Sequence, residues 1–202
     1  MYIITQEGLD KKMIYFIRHG ETEENRSFRL QGRKEIPMNA NGIAQAKSAG
    51  EWFRDHHIVF THVFSSPLGR AVQTAQLAAP GIPIQTDERL LEMDYGPYEG
   101  ADLMNPSAEL QAFFADFVHQ PAPQGMEQLT DVVRRTGAFL EEVRNLSGTI
   151  LISTHAIALK GCLEYLNPSS NGSYWSTAIH NCAIYAADVQ NGRFGLPVCI
   201  RP

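Results

Sequence analysis

Met13-Ile14-Tyr15-Phe16-Ile17-Arg18-His19-Gly20-Glu21-Thr22 passes from five apolar residues straight into a polar run. Five consecutive β-branched, aromatic and other apolar side chains predict a buried strand that ends where the polar residues begin. In open α/β sheets, ligands collect in the crevice beyond the carboxyl ends of strands. Arg18 next to His19 at such an end sets a fixed positive charge beside a potential nucleophile, a pairing that suits phosphate. An Arg-His-Gly tripeptide alone is a weak signal, so the rest of the chain has to decide.

The chain has 202 residues, enough for one sizeable core, and residues 1–202 are expected to form a single α/β domain. A formal net charge of -5 leaves no basic excess for a phosphate backbone, which argues against nucleic acid as a partner. Any anion site must therefore come from a local cluster. Met1 to Lys12 carries only short apolar stretches, and Met13–Ile17 is too short to cross a bilayer, so neither a signal peptide nor a membrane partner is expected. Cys162, Cys182 and Cys199 are odd in number and lack CxxC spacing. That pattern suggests neither a disulfide framework nor a zinc site, and fits reduced thiols in a cytoplasmic protein. A homodimer is kept open as an expectation that the sequence does not decide.

Strand-like and helix-like segments alternate without repeats or a low-complexity linker. A polar, loop-like stretch runs from Glu21 to Pro37, after which Asn39 or Asn41 caps a helix reaching about His56, with Ile43, Ala46, Ala49 and Phe53 inward. His62–Ser66 reads as a second strand, Leu68–Ala79 as a helix ended by Pro80-Gly81, and Pro83–Gln85 as a short extended piece. Ala108–His119 is expected to be a short helix. Glu127–Leu146 is the strongest one, its Leu129, Val132, Val133, Thr136, Phe139, Leu140 and Val143 keeping the helical period. Thr149–Ser153 reads as a buried strand, about Ala156 to Leu166 as a helix, and Asn181–Val189 as the last strand. Alternation of this kind predicts a three-layer α/β/α sandwich, a mostly parallel sheet with helices on both faces.

Four segments place phosphate-compatible residues at or just beyond a strand end: Arg18-His19; Ser65-Ser66-Pro67-Leu68-Gly69-Arg70-Ala71; Leu90-Leu91-Glu92 with the turn-rich Tyr95–Gly100; and Ser153-Thr154-His155. Arg70 falls near a helix start, where unpaired N–H groups and the dipole favour anions. Taken singly, Arg70 is an ordinary solvated helix charge, Glu92 a surface carboxylate and His155 a capping histidine. Together they supply two arginines, two histidines and one carboxylate at the functional end of one sheet, the set that phosphoryl transfer to a protein nucleophile requires.

In these motifs the chain resembles the histidine phosphatase superfamily, also called phosphoglycerate mutase-like, and within it the phosphatase branch. Arg18-His19-Gly20-Glu21-Thr22 matches the signature, with Asn25 at the spacing of a phosphate-contacting asparagine and Gln31-Gly32 as a further loop pair. Ser65–Ala71 with Thr74-Ala75 resembles the second arginine motif, and Leu91-Glu92 with Gly96 and Glu99-Gly100 the acid-bearing segment. Ser153-Thr154-His155 resembles the second-histidine motif, while Gly125, Glu127, Asp131 and Arg135 weakly echo a segment common among the phosphatases. The likeness runs from Met13 to about Val189. Two positions depart from it: Ala156, still able to offer its backbone N–H, where glycine is usual, and Lys160 where arginine is usual.

The resemblance implies a phosphoglycerate mutase-like fold and a phosphomonoester hydrolase acting on a small phosphorylated metabolite. His19 becomes a phosphohistidine, Glu92 serves as proton donor and then acceptor, and Arg18, Arg70, a protonated His155 and Asn25 hold the phosphoryl oxygens, with Gln31, Gly32 and Ala156 completing the binding site. Because the first step needs Glu92 protonated, a mildly acidic to neutral optimum is expected. Two histidines and a glutamate also fit a Zn²⁺ or Fe²⁺ site, but two arginines in the same pocket repel a divalent cation, so no metal and no cofactor is expected. Only 24 residues separate Gly100 from Gly125, a short lid at about 100–125 that favours hydrolysis over the phosphoryl exchange of a mutase. A phospho-ligand binding module without turnover is the reading from a different class. Phe113, Phe114 and Phe117 with Tyr95 and Tyr98 are candidates for an apolar wall above the phosphate, and Arg26, Arg29, Arg33 and Lys34 for a basic loop, each also open to an ordinary packing or solvation role.

Overall fold

The computed structural model describes residues 12–202; the segment read as free of a signal peptide, 1–11, lies outside them. The opening strand, β1 (Lys12–Arg18), carries the apolar run. Ile14 and Phe16 point into one core and Tyr15 and Ile17 into another, so the run is continuous because both faces are covered. The same split recurs in β4 (Thr149–Thr154), with Ile150 and Ile152 on one side and Leu151 on the other.

One layer is made of α2 (Ala40–Asp55) and α3 (Gly69–Ala78), whose Ala46, Ala49, Phe53, Ala75 and Ala78 pack on Tyr15, Ile17, Val63 and Leu151. The opposite layer is made of α5 (Leu129–Val143) and α6 (Ala156–Leu166), bringing Phe139, Leu140, Leu159 and Leu163 onto Ile14, Phe16, Ile150 and Ile152. Between the layers lies a seven-stranded sheet of order β3-β2-β4-β1-β5-β6, with β7 also pairing β5. The pairs β1–β4, β2–β4 and β2–β3 are parallel, where β2 is His62–Ser65 and β3 is Ile84–Thr86. β5 (Ile184–Gln190) runs antiparallel to β1, to β6 (Arg193–Phe194) and to β7 (Val198–Arg201). The expected three layers are present.

Several boundaries differ from expectation, each for a local reason. The Glu21–Pro37 stretch contains a one-turn helix, α1 (Glu23–Arg26), because Thr22 and Asn25 cap each other reciprocally. Asn39, rather than Asn41, caps α2 by accepting the Gly42 N–H at 2.8 Å. The short helix α4 (Ala108–Ala115) stops before His119, since Asp116 leaves the helical region and its carboxylate accepts the His119 N–H at 3.2 Å. α5 begins after Glu127 and Gln128, which are taken up by contacts to Asp94 and Ala122 instead. Asn181–Val189 is not the last strand, because β6 and β7 follow. A third apolar cluster, Leu30, Met93, Tyr95, Leu110, Phe113 and Trp175, sits beneath α4 and closes the carboxyl end of the sheet on that side.

Candidate active site

Strand register assembles the site. β1 and β4 lie side by side with Arg18 opposite Thr154, and the His19 N–H donates to the Thr154 carbonyl at 2.9 Å. Both strands therefore end at one level, and His19 and His155 meet with ring centroids 5.1 Å apart. They are 3% and 0% exposed. On the other side of β4, Ser65 stands opposite Ser153, so Ser66 and the first turn of α3, with Arg70, arrive at the same height. Gly20 is required by this crowding: a Cβ there would lie 2.3 Å from the Gly42 carbonyl oxygen.

Hydrogen bonds fix what each imidazole can do. His19 Nδ1 is 2.8 Å from the Gly20 carbonyl oxygen, which accepts but cannot donate. Nδ1 therefore carries the proton and Nε2 keeps the lone pair. His155 Nε2 is 2.8 Å from Ser66 Oγ, and its Nδ1 is enclosed without a partner. Burial, and then the Arg18 and Arg70 cations, hold His19 well below the usual imidazole range. His155 is held down by burial first, then by Arg70, His19, Arg18 and Arg135. In the free site both imidazoles are thus biased toward the neutral form, which runs against the protonated His155 expected in the phosphate cradle.

Arg70 is 1% exposed and spans the 31–34 loop, Nη1 donating to the Lys34 carbonyl and Nη2 to the Gly32 carbonyl, both at 2.7 Å. Gly32 adopts φ +57, and a Cβ there would meet the Glu99 carboxylate at 2.2 Å. Arg18 donates from Nη1 to the Ile179 carbonyl at 2.5 Å. In both arginines Nε is buried without a partner, as is Gln31 Oε1. Burial pushes both guanidiniums down from their usual range, yet neither forms an ion pair with a carboxylate among the described residues. Asn25 Oδ1 accepts from the Thr22 N–H and from Asn181 Nδ2, each at 3.2 Å, which turns the Asn25 Nδ2 toward the cavity it lines. Asn181 also donates to the His19 carbonyl at 2.9 Å. Its place in the site was missed, because an asparagine ahead of a strand carries no distinguishing signal.

Glu92, 7% exposed, docks on the amino end of α6. Its Oε1 accepts N–H bonds from Met93 (2.9 Å), Ile157 (3.1 Å) and Ala158 (3.1 Å), leaving Oε2 with one longer contact at 3.3 Å to Ile157. The cavity of about 530 Å³ is lined by Arg18, His19, Asn25, Gln31, Gly32, Arg70, Glu92 and Ala156, and further out by an apolar wall. Every site residue expected from sequence faces it except His155, which lies behind His19, fully buried.

Of the aromatic wall, Phe114 and Tyr95 line the cavity, whereas Phe113 is packed in the core beneath α4. Tyr98 donates to Glu109 at 2.5 Å. The basic loop is dispersed. Arg26 pairs with Glu23, Arg33 with Glu127, and Lys34 donates to the Glu99 carbonyl, leaving Arg29 as the one member at the cavity. Lys160 donates to the Trp175 carbonyl at 2.7 Å over the Phe117 ring, and burial lowers its ammonium to about 8.

The class that this fold and cluster define is a layered α/β protein with an anion site at its strand ends, built around a neutral imidazole. Residues 14–199 match the histidine phosphatase superfamily (branch 1), and the chain belongs to that family of phosphoryl-transfer enzymes. It is 32% identical over 192 residues to the "Probable phosphoglycerate mutase GpmB" of Salmonella choleraesuis, covering 90% of this chain and 86% of that one. Among solved structures it superposes on a mutant phosphoserine phosphatase from Entamoeba histolytica in complex with phosphoserine, with a TM-score of 0.78 and 25% identity over 94% of this chain and 95% of that one. Bacillus stearothermophilus YhfR gives a TM-score of 0.79 and 27% identity, covering 92% and 95%. Among the described residues no helix is long and apolar enough to cross a membrane.

Proposed function

We propose that the protein is a phosphomonoester hydrolase that works through a phosphohistidine on His19. The observation that carries this reading is the single cavity in which Arg18 and Arg70, neither of them in an ion pair among the described residues, flank an imidazole whose Nε2 lone pair is free.

In the first step His19 Nε2 attacks phosphorus in line with the ester oxygen. The P–O bond breaks, the departing alcohol oxygen takes a proton from Glu92, and the negative charge on the phosphoryl oxygens is held by Arg18, Arg70, the Asn25 amide and the Ala156 N–H. His155 contributes as a neutral donor: if the Ser66 hydroxyl donates to Nε2, Nδ1 carries the proton. In the second step Glu92 Oε2 takes a proton from water, the resulting hydroxide attacks phosphorus, and the P–N bond breaks to restore neutral His19.

Hydrolysis rather than exchange is supported by the small cover over the site. The expected lid at 100–125 holds one eight-residue helix, α4, and otherwise turns, so water has a short path to the phosphohistidine. The GpmB relatives support phosphoglycerate mutase as a second reading. The reaction is read as metal-independent because guanidiniums flank the imidazoles; among the described residues no three metal-ligating side chains cluster. A small phosphorylated substrate, a cytoplasmic setting for the three free thiols and a homodimeric assembly complete the reading.

The test is rapid quench with a ³²P-labelled phosphomonoester. An acid-labile adduct on His19 that is absent in His19→Ala, with release of inorganic phosphate from 3-phosphoglycerate and turnover undiminished by EDTA, is the expected result. Conversion to 2-phosphoglycerate without phosphate release makes it a mutase, loss of turnover in EDTA removes metal independence, and no turnover on any phosphate ester makes it a binding module.

A further inference from the structure

Glu127 and Arg135 lie outside the phosphate cradle, 12% and 15% exposed at their side chains, and join through two bonds, Nε to Oε1 at 2.7 Å and Nη2 to Oε2 at 3.1 Å. What they do with their remaining capacity is unusual. Arg135 Nη1 donates to the carbonyls of Arg89 (2.7 Å) and Leu91 (2.6 Å). Glu127 Oε2 accepts the Asp94 N–H at 3.1 Å, and the Glu127 N–H returns to the Asp94 carbonyl at 2.8 Å. Arg33, held by Glu127 at 3.2 Å, donates from Nε to the Glu92 carbonyl at 3.2 Å. Apart from the bonds that tie Arg135 and Arg33 to Glu127 itself, these bonds end on the main chain from residue 89 to residue 94, on either side of Glu92. That stretch has one turn of 3₁₀ helix, Glu88–Leu90, and no strand pairing; β4 touches it at one point, where Thr154 Oγ1 donates to the Leu90 carbonyl at 2.7 Å.

We propose that Glu127 and Arg135 are positioning residues that set the reach of Glu92 toward the leaving group. The inference rests on Glu92 being the general acid. The segment is gripped from behind by the pair, while the Glu92 carboxylate is gripped from in front by the α6 N–H groups, so Oε2 has one position available. Only a guanidinium serves here, since one planar fork satisfies a carboxylate and two carbonyls together. A buried ion pair is weak support for stability by itself, whereas misplacing a reacting group by about 1 Å costs on the order of 10²-fold in rate. Asp131, the other acid of that segment, pairs outward with Arg134 at 2.8 Å and takes no part.

The experiment compares kcat/KM on phenyl phosphate and p-nitrophenyl phosphate, which share a ring but differ in leaving-group basicity. Phenolate needs the acid far more than nitrophenolate does. Glu92→Gln sets the reference and is expected to lose on the order of 10² more on phenyl phosphate than on p-nitrophenyl phosphate. Arg135→Met and Glu127→Gln are expected to lose about tenfold more on phenyl phosphate, with inhibition by inorganic phosphate unchanged and Arg135→Lys intermediate. Equal losses on both esters in Arg135→Met and Glu127→Gln, with discrimination kept in Glu92→Gln, overturn the proposal. Absence of discrimination in Glu92→Gln overturns the acid assignment instead. Should Arg135→Met fail to fold, Glu127→Gln, isosteric with the native side chain, carries the comparison.

Discussion

Acidification should destabilise the free protein through its own active site. His19 and His155 are buried and held well below the ordinary imidazole value of 6.5, His19 by burial and the two arginines, His155 by burial, Arg70 and its neighbours. Their folded values are depressed, so below about pH 6.5 the unfolded chain binds protons that the folded protein refuses. The stability from keeping them neutral is fully present above that value and is lost as the pH falls below it. For an imidazole that stays neutral when folded, moving from about pH 7.5 to about pH 5.5 costs somewhat more than 1 kcal/mol, and for the two together roughly 3 kcal/mol. Against a total stability of about 5–15 kcal/mol this is a large change. Urea unfolding across that interval measures it, with His19→Asn and His155→Asn removing about half of the acid loss each and the double variant nearly all of it. Titration elsewhere cancels in the comparison. A double variant that loses as much stability as the wild type would refute the reasoning, because the imidazoles would then be charged or exposed.

Arg70→Ala should lower kcat on p-nitrophenyl phosphate by on the order of 10²–10³, the usual cost of deleting a transition-state donor; a change below about threefold removes Arg70 from the cradle. Ser66→Ala should lower kcat about tenfold and blur the His155 tautomer, because among the described residues that ring has no hydrogen bond besides the 2.8 Å one to Oγ. Imidazole ¹⁵N shifts in the wild type are expected to show the proton on Nδ1; finding it on Nε2 sinks the assignment.

How far this was legible in the sequence follows the physics of each element. β1 announced itself because a strand covered on both faces is apolar throughout. Arg18, Arg70 and His155 were legible because parallel strands ending at one level bring the residues at and after their ends together, whereas Glu92, well beyond the end of β3, rested on the resemblance of its segment. The β5–β6 hairpin was legible too and went unread: Asn191 and Gly192 both take positive φ, at 51 and 69, the turn that Asn-Gly favours. β7 had no such sign, being four residues long and largely exposed. The protonation of His155 was out of reach, because it depends on the burial of the ring and the sum of several neighbouring charges. The fate of the basic loop was equally hidden, since Arg33 and Lys34 spend their donors on residues distant in sequence.

Those hidden terms bear on how, under the proposed function, a chain of net charge -5 would capture an anion. Arg18 and Arg70 are desolvated, and among the described residues their direct hydrogen bonds go to backbone carbonyls, while Glu92 and, for Arg70, Glu35 and Glu99 act on them only at a distance. A carbonyl dipole satisfies the geometry of an N–H without cancelling its charge, so each guanidinium keeps a positive field that is only partly offset in a low-dielectric place. The two imidazoles are kept from adding to it by the same burial that intensifies it, which preserves the His19 lone pair for attack. Had a carboxylate paired with either arginine, the free protein would be steadier and the incoming phosphoryl group would have to displace it. Leaving the balance to the substrate means that the greatest stabilisation arrives as negative charge accumulates on the phosphoryl oxygens, which is where rate enhancement requires it.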